Sequence, residues 1–161
     1  MNTLRTFWRG EGSPSLKLLA LYLLILTLPV LAQQEKGEWR AANQTARTIT
    51  GDVLFTGDRI SIDFVRFAVS HTRALEPSEI SAAFDATAGG SGNLYRVNIP
   101  GGQKFLNRNT LCGSEEVLWM ATYVQGRNLK LAFFSGEKLP VFTLEALANS
   151  TDLCGTFVYT K

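Results

Sequence analysis

The residues able to do chemistry in this chain are few. Cys112 and Cys154 are its only cysteines, each framed as Leu-Cys-Gly, and His71 is its only histidine. One histidine and two cysteines 42 positions apart form neither an HExxH nor a CxxC arrangement, so the common zinc and dithiol redox chemistries are out of reach. Ser70 precedes His71, but neighbours in a strand point to opposite faces, so the pair is not preset as nucleophile and base. Gly89-Gly90-Ser91-Gly92-Asn93 misses the G-x-S-x-G elbow at its last position and lacks the lysine of a phosphate-binding loop. It reads as a flexible loop. Glu115-Glu116 are adjacent carboxylates in a polar turn, the usual setting of solvated acids. No catalytic constellation, cofactor site or metal site emerges, and the expectation is a non-enzymatic protein.

The compartment is set by the start of the chain. Arg5 and Arg9 precede an apolar run over residues 18–28, then Pro29 and Val30-Leu31-Ala32. This order of positive, apolar and small residues reads as a secretory signal peptide over 1–32, cleaved after Ala32. The alternative is an uncleaved membrane anchor, for which the apolar run is short against the roughly 20 residues of a spanning helix. Removing 1–32 takes away Arg5, Arg9, Lys17 and Glu11. Of the 16 basic and 14 acidic residues, 13 of each remain, so the charge of +2 falls to about zero. A neutral mature chain makes no electrostatic case for nucleic acid. Export places Cys112 and Cys154 where thiols oxidise, and one disulfide between them is expected rather than two free thiols.

The elements that would position these residues are short strands. Residues 33–46 lack a regular period and read as a flexible lead-in to a single β-domain over 47–161. Ile60, Ile62 and Phe64 alternate with polar residues, the period of a half-buried strand, and the phase slips at Phe64-Val65 as a bulge or hairpin corner would make it. Pro77-Ser78-Glu79-Ile80-Ser81-Ala82-Ala83-Phe84 is the one convincing helix, with proline in its first turn. Alternation resumes at Tyr95, Val97 and Ile99, at Val117 to Tyr123, at Leu129 to Phe133 and at Thr156 to Thr160, whereas residues 141–147 are consistent with strand or short helix. About eight strands with one short helix and a turn signal every 8–12 residues predict an antiparallel barrel or sandwich closed by the disulfide.

Most aromatics then fill the core. Phe134 adjoins Phe133, and Leu118 and Met120 oppose the parity of Trp119, so Leu118, Met120 and Phe134 are candidates for an outward apolar contact surface. Coverage by the short helix is the competing explanation. Candidate contact loops are residues 87–93, with Gly89, Gly90, Ser91 and Gly92, and residues 136–140, with Glu137 and Lys138. The functional expectation is an exported, non-catalytic, inhibitor-like β-domain binding a protein or envelope partner in the periplasm or outside the cell. The alternative is a carrier of a small apolar ligand inside a barrel.

Two resemblances bear on this. Gly37-Glu38-Trp39 resembles the G-x-W found near the start of lipocalins, where it leads straight into a strand; here Arg40-Ala41-Ala42-Asn43-Gln44 follows, a poor strand sequence. The wording around Leu129-Lys130-Leu131-Ala132-Phe133-Phe134-Ser135-Gly136 and Asn149-Ser150-Thr151-Asp152-Leu153-Cys154-Gly155-Thr156-Phe157 resembles uncharacterised exported small β-domain proteins of alphaproteobacteria, a likeness that implies export and carries no activity with it.

Overall fold

A computed structural model describes residues 35–87 and 89–161, so the expected signal segment lies outside the described residues. Eight strands follow one another: β1 (Gly37–Ala41), β2 (Val53–Phe55), β3 (Arg59–Ile62), β4 (Val65–Ala74), β5 (Ser91–Ile99), β6 (Val117–Gln125), β7 (Asn128–Phe134) and β8 (Leu153–Thr160). Each pairs antiparallel with the next, and β8 pairs with β1 through Arg40↔Thr160 and Ala41↔Tyr159. The architecture is therefore a closed up-and-down barrel rather than a sandwich. Closure removes the free sheet edges that would otherwise invite pairing with other chains.

The alternation of side chains builds the interior. Ile60 and Ile62 of β3 and Phe67 and Val69 of β4 point inward, while Arg59, Arg66, Ala68 and Ser70 face solvent. Trp39, Phe55, Tyr95, Phe133, Phe157 and Tyr159 meet in the middle, none more than 3% exposed. The Phe133 and Phe157 rings pack edge to face at 5.5 Å, as do Phe55 and Tyr95 at 5.4 Å, the geometry that the aromatic quadrupole favours.

Connections after odd-numbered strands lie at one end of such a barrel and those after even-numbered strands at the other. The first end carries α1 (Gln44–Ile49), the Asp63-Phe64 turn, the 100–116 loop with its 3-10 turn Leu106–Arg108, and the 135–152 loop with α3 (Leu144–Ala148). Asn43 caps α1 by accepting from the Ala46 N–H at 3.0 Å, and Asn107 and Asn109 donate to the carbonyl of Thr48 in its last turn. Cys112 and Cys154 form the expected disulfide, with Cα atoms 5.0 Å apart, and tie the 100–116 loop to the start of β8. The second end receives the chain at Glu35 and carries α2 (Pro77–Phe84).

Helix α2 has the predicted bounds. It lays Ile80 and Phe84 on the outer face of β5–β7, against Leu94, Ala121 and Tyr123, while Phe142 of the 135–152 loop covers Phe134 from the other end. Its start is held by Glu79, which accepts from both terminal nitrogens of Arg73 at 2.6 and 2.7 Å and from the Glu76 N–H at 2.9 Å. The hydrogen bond from Arg73 lowers the Glu79 pKa below its ordinary 4.5. A carboxylate lowered on folding adds stability above the unfolded pKa and loses it as pH falls through the folded one. Glu79→Gln keeps a side chain able to reach the Glu76 N–H and removes only the charge. It is expected to cost no more than about 1 kcal/mol at neutral pH, because Arg73 is a third exposed. Urea titrations at several pH values should show that gap narrowing only below pH 4.5.

Two expectations are corrected here. The described part of the 33–46 lead-in is ordered: it supplies β1, without which the barrel does not close, and the start of α1. The Gly89–Gly92 stretch is only partly a loop, since Ser91 and Gly92 begin β5. A Cβ at Gly90 would run into the carbonyl of Val124, and one at Gly92 would sit 2.9 Å from Cγ1 of Ile80. These glycines serve close packing of α2 and the β4–β5 connection on the sheet.

Candidate functional site

The two faces of the barrel wall are treated differently. The outside of β5–β7 is covered by α2 and the 135–152 loop, whereas the outside of β1–β4 is bare. The pairing register places Glu38, Leu54, Ser61 and Arg66 side by side in one row across these four strands. They line a groove of about 950 Å³ with Asp52, Asp63 and Phe64 toward one end and Arg127 and Lys161 toward the other. Its lining carries charges of both signs, and Leu54 is its exposed apolar member besides Phe64.

The tip of the β3–β4 hairpin dominates this face. Asp63 and Phe64 form a two-residue connection between Ile62 and its partner Val65, with φ of +46° and +64°. This is the backbone that matches the twist of a tight hairpin, and Asn-Gly is the sequence that adopts it without strain. For a bulky side chain the left-handed region costs about 1–2 kcal/mol. Phe64 is 99% exposed, so packing within the barrel returns nothing for that strain. Val65 beside it is 36% exposed. An aromatic placed in solvent on a strained turn is the kind of local conflict that accompanies a binding function.

A second cluster lies at the other end, inside the wall. Glu35, wholly buried, accepts at Oε1 from Asn93 Nδ2 at 2.6 Å and from Thr122 Oγ1 at 2.8 Å. Asn93 Oδ1 lies 3.0 Å from His71 Nε2, and the exposed His71 ring stands edge-on to Tyr95 at 5.4 Å. Burial, then the negative charge of the nearby Glu35, push the Tyr95 phenol well above its usual value, so it remains a hydroxyl. His71 thus meets the carboxylate only through an amide. The amide fixes geometry but cannot relay a proton as a second acid or base would.

The residues singled out from the sequence fall elsewhere. Leu118, Met120 and Phe134 form no contact surface: they are 9%, 0% and 2% exposed. Met120 points into the barrel with Val124, whereas Phe134 lies on the outer face under Phe142, so the barrel interior accounts for the first and the covering loop for the second. Glu137 and Lys138 are exposed at the same end of the barrel as Phe64, and Glu115 and Glu116 are exposed in their turn. Alternation with Ile60 and Ile62 predicts an inward Phe64, and the phase slip after it is the signal of the turn it occupies instead. Glu35 gave no signal. The chain is, in class, a small disulfide-closed up-and-down β-barrel with one bare face. Comparison with protein-family models, with curated proteins and with solved structures finds no match. Among the described residues no helix is long and apolar enough to cross a membrane.

Proposed function

We propose that this barrel is an exported, non-catalytic binding domain that engages a protein partner through the β3–β4 hairpin tip, with Phe64 as the anchor. The partner would be an envelope or extracellular protein offering an apolar cleft, approached in the manner of a loop-presenting inhibitor. The exposure of Phe64 on a strained two-residue turn carries this reading. Aromatic anchors seated in a partner pocket supply a large share of interface energy, and a turn already in its bound shape loses little entropy on docking. The signal-like leader and the disulfide support an exported location, as does the likeness to exported alphaproteobacterial proteins. The carrier alternative keeps some support, because Gly37-Glu38-Trp39 does open a strand, β1, of a closed barrel. It ranks second because large side chains occupy the interior.

Phe64→Gly separates stability from binding. Relief of the left-handed strain gains about 1–2 kcal/mol, and the added freedom of glycine in the unfolded chain takes back about 0.4–1 kcal/mol. The variant is expected to be as stable as wild type or up to about 1.6 kcal/mol more so, yet to bind the partner at least about 30-fold more weakly. Capture from an envelope extract with immobilised wild type, Phe64→Gly and a Glu137→Ala/Lys138→Ala control reads this out. A partner retained by Phe64→Gly, or lost only with the control, sinks the proposal.

A further inference from the structure

The Glu35 cluster divides into a wall and a guest. Asn93 and Thr122 are direct partners across β5 and β6, and Tyr95 lies two residues along β5 on the same inward face. All three belong to the rigid barrel. His71 holds the Asn93 amide by its oxygen, which turns the NH2 group toward the interior. Glu35 precedes β1 and reaches this place from the entering chain, its carbonyl accepting from Trp39 Nε1 at 2.7 Å. Two neutral donors bond Oε1, the Tyr95 hydroxyl stands close by, and Oε2 is buried with no partner of hydrogen-bonding geometry. A charge that brings no countercharge with it is an expensive guest. The site it occupies is nonetheless shaped for a carboxylate, since neutral donors fixed by a sheet need no rearrangement to receive one.

We infer that Asn93, Thr122 and Tyr95 form an internal carboxylate-binding site in the β5–β6 wall, filled in cis by the Glu35 side chain and able to take a small organic monocarboxylate in its place once that side chain is absent. This goes beyond partner binding at Phe64, which lies at the opposite end of the barrel and does not depend on it.

Chemical rescue tests the inference. In the full chain, Glu35→Ala removes a group close in size to acetate. About 100 mM acetate is expected to raise the melting temperature of Glu35→Ala by about 3 °C or more, while leaving wild type unchanged. Acetamide and sodium chloride at the same concentration are expected to do nothing. Adding Thr122→Val or Tyr95→Phe to Glu35→Ala should abolish the rescue. Should Glu35→Ala fail to fold unaided, recovery of its near-ultraviolet circular dichroism on refolding with acetate, and not with acetamide, gives the same reading. No acetate effect, an equal effect of acetamide or chloride, or rescue that survives both second substitutions overturns the inference.

Discussion

Replacing Cys112 and Cys154 together by serine is expected to lower the unfolding free energy by about 4 kcal/mol, the chain-entropy value for a loop of this size. The bridge spans 42 positions and encloses β6 and β7 whole. Without it the unfolded chain gains the freedom of that loop, while the folded barrel keeps its ladders. The effect is large because the bridge acts where the fold is least repetitive. The 100–116 loop is held by a 3-10 turn, local backbone bonds such as Gly102 N to the Gly113 carbonyl, and the buried Phe105 and Leu111 rather than by a ladder, and β8 must be placed against both β7 and β1 for the barrel to close. Both sulfurs are only partly buried, so serine hydroxyls keep access to water and add little desolvation cost. Urea denaturation of wild type and the double variant checks the value. The variant should also show a larger denaturant slope, because its unfolded state is more expanded. A loss below about 1 kcal/mol would mean that the loop is already ordered without the bridge.

How much of this was legible in the sequence depends on whether a strand has one polar face. In β3 and β4 it does: Ile60, Ile62, Phe67 and Val69 announce their orientation, and the strands lie where the alternation placed them. In β6 both faces are buried, one in the barrel and one under α2, so Val117-Leu118-Trp119-Met120-Ala121 carries no polar marker of phase. Alternation alone therefore points Leu118, Met120 and Phe134 outward, whereas Met120 faces the interior and Phe134 lies under the 135–152 loop. Closure itself was illegible. It depends on β1, in which Trp39 is the one fully buried residue, and on two register pairs with β8. Helix α1 was hidden for a similar reason: it buries only Ala46 and takes its stability from the Asn43 cap and from contacts to the 3-10 turn.

The candidate sites were harder still. Phe64 continues the Ile60–Ile62 alternation by one step, and only the reversal of phase at Val65 marks it as a turn residue. Glu35 sits in a polar, aperiodic stretch. Its partners are 58 and 87 positions away. Such a carboxylate is specified by tertiary geometry alone, because nothing local distinguishes it from a solvated glutamate. Both ends of the barrel thus carry a feature that breaks an ordinary rule, an exposed aromatic at one and a buried acid at the other. Sites of function are where such breaks are expected.

Trp39 is where the end bearing Glu35 is most exposed to a single substitution, and Trp39→Ala is expected to cost about 3–5 kcal/mol. The ring fills the base of the barrel at 0% exposure, and its N–H holds the carbonyl of Glu35. Lys161 Nζ stands 4.2 Å from the ring centre and donates to the Lys36 carbonyl at 2.8 Å, so the last residue of the chain is clasped over the first strand. These contributions can be separated. Trp39→Phe keeps an aromatic in place but loses the N–H, and is expected to cost about 1–3 kcal/mol, much of it from the carbonyl left without its donor. Lys161→Met removes the charge over the ring and should cost about 0.5–1 kcal/mol, the value of an exposed cation–π contact. The seam between β1 and β8 should fail first in Trp39→Ala, since two register pairs and the bonds from Ala42 N and Asn43 N to the Val158 carbonyl are its backbone ties. Amide exchange is then expected to accelerate at Arg40, Ala41 and Thr160 well before it changes in β5–β7, where the ladders are long and covered. An opened seam presents two free edges, so the variant should also associate at concentrations where wild type does not. Uniform loss of protection across all eight strands would instead show that the barrel unfolds as one unit and that Trp39 contributes volume rather than closure.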